Sequence, residues 1–278
     1  MKATPKRVRG GPGFRVLFSI IVALAFLFPL YIALVTSLDT SSHVFTYPPH
    51  LIPDFDFSSY RRVWHMARWL MYFGNTIVIS LTTVAIALVT SVLAAYALSF
   101  LRFSGKPIIF MAILVVLMIP GEALLIPNYV ILHVLNLLNT YWAQILPYGA
   151  SVFGVFLLRQ FFLTLPQSYW EAAKIDGASH FRFLWSVALP LAKPVLFTVG
   201  LYIFIGSWNS FQWPLIVTTS HRVQPIEVAV SRLMMAHSAD WRRLSAAGIM
   251  ATVPLVGLFL GLQRHILRGI SRGEGLQE

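Results

Sequence analysis

The chain has 278 residues, 57% of them hydrophobic and 11% charged, whereas soluble domains are roughly 25% charged; a soluble globule of this length could not hide so much apolar surface. The net charge of +11 does not mark a nucleic-acid binder, because Lys and Arg fall at the ends of apolar runs and form no basic stripe with interleaved aromatics. With no cysteine, a disulfide framework, a thiol nucleophile and thiolate metal sites are all excluded.

The chain opens on MKATPKRVRGGPGFRVLF. Its basic start resembles that of a signal peptide, but the apolar run 14–38 is long for one and no small-residue cleavage site follows. It reads as a retained first span, kinkable at Pro29. RGGPG at 9–13 precedes no strand–helix unit and reads as a flexible tail. The stretch TSSHVFTYPPHLIPDFDFSSYRRVW, with its prolines and Asp54, Asp56, Arg61 and Arg62, reads as a solvent loop. Further spans fall at 73–98, at 107–126 (interrupted at Pro120-Gly121 and closed by Pro127), at 141–162, at 194–213 and at 246–267. The expected fold is an all-α membrane protein of six transmembrane helices. One domain, 14–267, lies between tails 1–13 and 268–278.

With six spans, the face that holds both termini carries fourteen Lys and Arg and the other face seven. The positive-inside rule therefore puts both tails in the cytoplasm, although the loop after the fifth span carries Arg222, Arg232, Arg242 and Arg243 against the trend. The segment 163–193 is then cytoplasmic, between the fourth and fifth spans. It contains YWEAAKIDGASHFRFLWSVALPLAKP, a charged interruption of an apolar chain.

Locally this reads as helix–turn–helix. Ser168 and Glu171 have capping-box spacing, so the helix is expected over 169–176. Gly177 is expected to stop it in a left-handed conformation, and Ser179 to cap a second helix. That helix carries Phe181, Leu184, Trp185, Ala188 and Leu189 at the spacing of a single apolar stripe, after which Pro190 and Pro194 turn the chain back into the bilayer. Small Ala172 and Ala173 between charges suit insertion into a groove on a soluble partner. The plainer alternative is a cap at Glu171 and a stop at Gly177, with no further role.

EAAKIDGA, followed by the spaced prolines of LPLAKP, resembles the EAA loop of ABC-transporter permeases of the carbohydrate-uptake family, which includes the maltose permease pair. RQFFLTLP (159–166), Asn75, Tyr96-Ala97, IPGEALLIPNY (119–129) and Trp208-Asn209 resemble the same family. Ser210 departs from it, standing where an acidic residue is common. The resemblance implies that 163–193 is a coupling loop docking on an ATPase subunit, with Glu171, Ala172 and Ala173 as the motif's core, Asp176, Gly177 and Ala178 as its turn, and Pro190 and Pro194 as its exit. It also implies a second homologous permease, two copies of the ATPase subunit, an extracytoplasmic solute-binding protein and residence in a bacterial inner membrane. ATP and Mg would be held by the partner subunits, and this chain would bind no cofactor. The implied solute is a sugar, an oligosaccharide or a glycerol-3-phosphate-like compound. In the maltose pair the sugar site is a property of one permease, so few solute contacts are expected from the other.

No phosphate-binding loop of the G-x-x-x-x-G-K-[ST] type occurs, the eight histidines show no metal-ligand spacing, and no catalytic pair can be placed. An enzyme is not expected. Glu122, near the outer end of the third span, either lines a translocation path or is a carboxylate hydrated at the interface. Trp208, Asn209 and Gln212 combine a flat apolar face with amides, as sugar sites do; they equally suit an interfacial Trp with amides bonding to neighbouring helices. The rival class, a stand-alone secondary transporter or channel, would show inverted repeats and buried midplane charges, and the sequence shows no repeat.

Overall fold

The computed structural model describes residues 12–40, 46–47, 50–236 and 240–273, so the expected tails fall outside it over 1–11 and 274–278. All regular structure among these residues is helical. Four helices are long and apolar enough to cross a membrane, and up to six if each of two bent pairs counts as one span. The chain divides into two compact units, Met1–Ala67 with Arg232–Thr252, and Arg68–Ser231 with Val253–Glu278.

The first unit begins with α1 (Pro12–Leu38), whose most apolar window has no part buried inside the protein. Its length and its apolar character suit a membrane span. The stretch expected to be a solvent loop contains a helix instead, α2 (Ser58–Met66). Asp56 makes it possible, its carboxylate accepting from the Ser58 backbone N–H and hydroxyl, both at 2.8 Å, and satisfying donors at the helix start. Tyr60 packs the helix back on α1 through a 2.7 Å contact with the Ser37 hydroxyl. Arg242, near the start of α13 (Trp241–Gly273), donates to the same Asp56 carboxylate and to the Ser58 hydroxyl.

The second unit is built on α3 (Trp69–Phe100). Ala87, Ala95 and Tyr96 of α3 pack with Leu158 and Phe162 of α7 (Val152–Thr164) and with Ala188, Ala192 and Val199 of the helical run 180–208. Small residues let these helices approach closely, which is how apolar helices associate without a hydrophobic driving force. Gly154 is the tightest point: a methyl group there would stand 2.8 Å from Ser91 Oγ and 3.0 Å from Val199 Cγ1.

The third apolar segment is α4 (Lys106–Val115) and α5 (Leu125–Val134), bent by 98° at Pro120. Pro127 does not close it, because Pro127 is the third residue of α5, where a backbone N–H has no helical partner anyway. The fourth is α6 (Tyr141–Ile145) and its 3₁₀ extension to Tyr148, bent by 43° against α7. The fifth begins earlier than expected. Residues His180–Trp208 form one continuous helical run: α9 (His180–Phe183), a π turn over Leu184–Ala188, and α10 (Leu189–Trp208). Pro190 and Pro194 therefore lie inside a helix and turn nothing. The π turn, in which Leu189 N donates to Leu184 O, absorbs the break that Pro190 would otherwise make.

After α10 come α11 (Gln212–Val217) and α12 (Ile226–Ala236). Asn75 fastens the loop between them to α3, its amide donating to the carbonyls of Arg222 at 3.0 Å and Gln224 at 2.8 Å while its oxygen accepts from Tyr141 at 2.7 Å. Thr76 Oγ1 accepts from Ile226 N at the start of α12.

Candidate functional site

The interruption at 169–194 folds as a short exposed helix packed on the bundle through Trp170 and Ala173, followed by the start of the 180–208 run. This helix, α8, spans Gln167–Ile175. Pro166 occupies its N-cap position and no side chain caps it, so the capping box of Ser168 and Glu171 does not form. The helix starts two residues earlier than that spacing demands, directly after a proline whose φ of −57° is already near the helical value.

The other end matches expectation. Gly177 has φ +73°, Gly177 N donates to Lys174 O at 3.1 Å and Ala178 N to Ala173 O at 2.8 Å, a complete Schellman cap. Ser179 then caps α9, its hydroxyl accepting from Arg182 N. The stripe expected after it is divided: Leu184 and Ala188 are buried with Phe183, whereas Phe181 and Trp185 are exposed and packed on each other.

Helical spacing gives α8 two faces. Trp170 and Ala173, three residues apart, pack against the cluster formed by α3, α7 and α10. Glu171, Ala172 and Ile175 point away from it and are exposed, Ile175 to 87%. Of the two alanines of the motif, Ala172 is thus on the outward face and Ala173 on the inward one. Asp176 and Gly177 are exposed at the turn and Ala178 is half-buried. Ile175 was not singled out from the sequence; an apolar residue four after Glu171 and three after Ala172 is the signal that could have found it.

Trp170 stacks on the His180 ring at 4.1 Å and meets the Phe183 ring edge-on at 5.2 Å. The Tyr96 hydroxyl, near the end of α3, donates to the His180 carbonyl at 3.0 Å and lies 2.9 Å from His180 Nδ1. Trp170 thus sits against the first residue of the 180–208 run, which the Tyr96 hydroxyl ties to the end of α3. Lys106 closes that end of α3, donating to the carbonyls of Ser99 at 2.9 Å and Leu101 at 3.2 Å.

Glu122 lies in a single 3₁₀ turn, Gly121–Leu124, directly after the sharp bend and exposed. Trp208 is the last residue of α10, 3% exposed and packed on Phe204. Asn209 follows it at the helix end and Gln212 opens α11, both exposed, so the three occupy separate elements rather than one span. In the first unit, Asp39, His50 and Asp54 each bring a ligand atom within 4.8 Å of the others. Asp54 is already engaged, accepting from Thr40 N at 2.8 Å and Thr40 Oγ1 at 2.7 Å.

Apolar spans, two of them broken, with a short exposed helix standing off the bundle are the parts of a membrane transport subunit. Residues 87–272, more than half of the chain, match the family of binding-protein-dependent transport system inner membrane components, and the chain belongs to that family. It is similar to the sn-glycerol-3-phosphate transport system permease protein UgpE of Yersinia enterocolitica, 33% identical over 264 residues that cover 92% of this chain and 94% of that one. It is also similar to the arabinooligosaccharides transport system permease protein AraQ of Halalkalibacterium halodurans, 35% identical over 73% of this chain and 72% of that one. A crystal structure of a bacterial ABC transporter involved in the import of the acidic polysaccharide alginate contains a chain of the same fold, with a TM-score of 0.80 and 26% identity over 94% of this chain and 99% of that one. The resemblance first read from EAAKIDGA and LPLAKP is borne out. The chain is a multi-pass permease component of an importer, and the stand-alone transporter class is set aside.

Proposed function

We propose that this chain forms half of the translocation pathway of an ATP-driven importer for a sugar or related solute, with α8 as its coupling helix. In this reading it pairs with a second permease, and two ATPase subunits hold ATP and Mg in the cytoplasm. Each bent pair counts as one span, which gives six spans with both tails cytoplasmic, as the distribution of Lys and Arg favours. The solute class is supported by the relatives named for arabinooligosaccharides, glycerol-3-phosphate and alginate.

The observation that carries the reading is the two-sidedness of α8. Its outward face offers a carboxylate, a methyl-sized residue and an exposed isoleucine, while its inward face is fixed to two long helices through Trp170 and His180. Closure of the ATPase dimer would carry α8 inward, and Trp170 would pass the movement to α3 and to the 180–208 run. Glu171 is the charged docking contact, Ala172 permits close approach, and Gly177 holds the turn.

Purification from the native membrane in mild detergent, with mass spectrometry of what accompanies the chain, tests this. A second permease and an ATPase are expected with the wild type, and the ATPase is expected to be lost from Glu171→Lys. A chain that comes out alone and moves solute in liposomes without ATP would overturn the proposal.

A further inference from the structure

Arg102, Lys106 and Arg159 meet at one end of the unit built on α3. Lys106, the first residue of α4, bonds to the carbonyls of Ser99 and Leu101 at the end of α3. An ammonium has three donors, so one is left over. Arg102 follows Leu101 directly and is exposed. Arg159 comes from α7. Its guanidinium lies over the Phe110 ring, 3.9 Å from the centroid, and Phe110 stands one turn after Lys106 on the same face of α4. Arg159 is accordingly close enough for its charge to act on Lys106.

Arg159 is the unusual member of the group. It stands inside α7 rather than at its end, it is half-buried, and its Nε is shut off from water with no hydrogen-bond partner. Stacking on Phe110 uses the flat face of the guanidinium, whereas the N–H groups radiate in its plane and still need acceptors. Among the described residues no carboxylate pairs with Arg102, Lys106 or Arg159. A structural ion pair would place a carboxylate here, and a residue that only marks the end of a span would stand in water at the helix terminus. Arg159 does neither. A buried donor without an acceptor is costly, and so are like charges held together, unless an anion comes between them.

The anion that fits is a phosphate carrying its own apolar chains. Guanidinium groups take phosphate oxygens two at a time, and basic pockets between helices at a membrane surface hold acidic headgroups. α4 buries none of its residues, and Ile109, three after Lys106, is exposed with Met111 beyond it. That is apolar surface for acyl chains next to the ammonium. A free phosphate would use the cations and leave this surface bare.

We infer that Arg102, Lys106 and Arg159 form a site for the headgroup of an anionic phospholipid, such as phosphatidylglycerol, seated where α4 meets α7. Only Leu165 and Pro166 separate α7 from α8, so the lipid braces the helix from which α8 stands off. The inference goes beyond the importer reading and does not depend on it.

The test uses the complex as purified from the native membrane, exchanged into lipid-free detergent and titrated with dioleoyl-phosphatidylglycerol or dioleoyl-phosphatidylethanolamine. Native mass spectrometry reads the lipid adducts on this chain. The wild type is expected to bind phosphatidylglycerol more tightly than phosphatidylethanolamine. Arg102→Gln and Arg159→Gln should each weaken phosphatidylglycerol binding about fivefold, as loss of one basic side chain near acidic lipid produces, and leave phosphatidylethanolamine binding unchanged. Arg159→Lys should recover part of the loss. Because Arg102 is exposed, its variant keeps the test decisive even where Arg159→Gln folds poorly. Inorganic phosphate in excess should not displace the lipid. Equal binding of the two lipids, unchanged binding by Arg102→Gln, or displacement by inorganic phosphate overturns the inference, the last by showing a site for a free anion. Loss of a partner subunit from Arg102→Gln with lipid binding intact also overturns it, by making the patch a protein interface.

Discussion

Gly177 allows a clean test of whether the shape of the α8 turn matters to transport. Its φ of +73° lies in the left-handed region, where a non-glycine residue costs about 1–2 kcal/mol. A Cβ added there would have nothing within 4 Å. The penalty is therefore conformational and not steric, and Gly177→Ala and Gly177→Leu should be equally harmful. Gly177→Asn should be milder, because asparagine tolerates this conformation. At about 1.4 kcal/mol per factor of ten, the closed cap should lose roughly five- to thirtyfold in equilibrium population in the Ala and Leu variants. The assay is solute uptake per ATP hydrolysed, alongside the amount of chain in the membrane. Membrane levels should be unchanged and the coupling ratio should fall in the order wild type, Asn, then Ala and Leu together. Normal uptake by Gly177→Leu, or a Leu variant far worse than Ala, would refute the reasoning, the first by removing the turn's role and the second by revealing a neighbour that should not exist.

Tyr96→Phe removes the hydroxyl that bonds to His180 and should weaken the anchorage of α8 by about 1 kcal/mol; proteolysis within 166–179 should quicken and the coupling ratio should fall, while solute binding stays unchanged. Gly154→Ala should lower the thermal stability of the purified chain by about 1–3 kcal/mol, because its methyl would stand 2.8 Å from Ser91 Oγ; a transition at or above the wild-type temperature would contradict the packing described. Asp56 is held below its ordinary value, first by the Ser58 backbone N–H, then by the Ser58 hydroxyl and by Arg242. A depressed carboxylate stabilises the fold above its unfolded value and loses that contribution as pH falls through the folded one. Acidification should therefore loosen the segment around α2, seen as proteolysis near 50–67, and Asp56→Asn should flatten that dependence.

What sequence could show depended on how local the cause was. The Pro120-Gly121 break, the left-handed Gly177 and the Ser179 cap are each set by residues within a turn of one another, and each is found where expected, whereas the bounds of the third and fifth apolar spans are not. Pro190 misled because a proline normally ends a helix, and only the i→i+5 bond to Leu184 O shows how this one is accommodated. The two alanines of the motif look equivalent in sequence; Ala173 faces inward because it shares a face with Trp170, three residues earlier, which packs against the bundle. Asn75 could be noted but not understood, since its partners lie about 150 residues away. The same holds for Arg159, whose place over Phe110 becomes visible only once α4 and α7 stand side by side.

The proposed coupling role requires the outward face of α8 to meet an ATPase subunit. The chain has no native cysteine, so Ile175→Cys places a single thiol on that face and Ala173→Cys a single thiol on the other. A short crosslinker reactive toward thiols and amines is applied to native membranes with and without ATP. Ile175→Cys should give an adduct with a nucleotide-binding subunit whose yield changes with ATP, and Ala173→Cys should not. Equal adducts from both positions, or an Ile175→Cys adduct without any nucleotide-binding subunit, would contradict the assignment of α8 as the coupling helix.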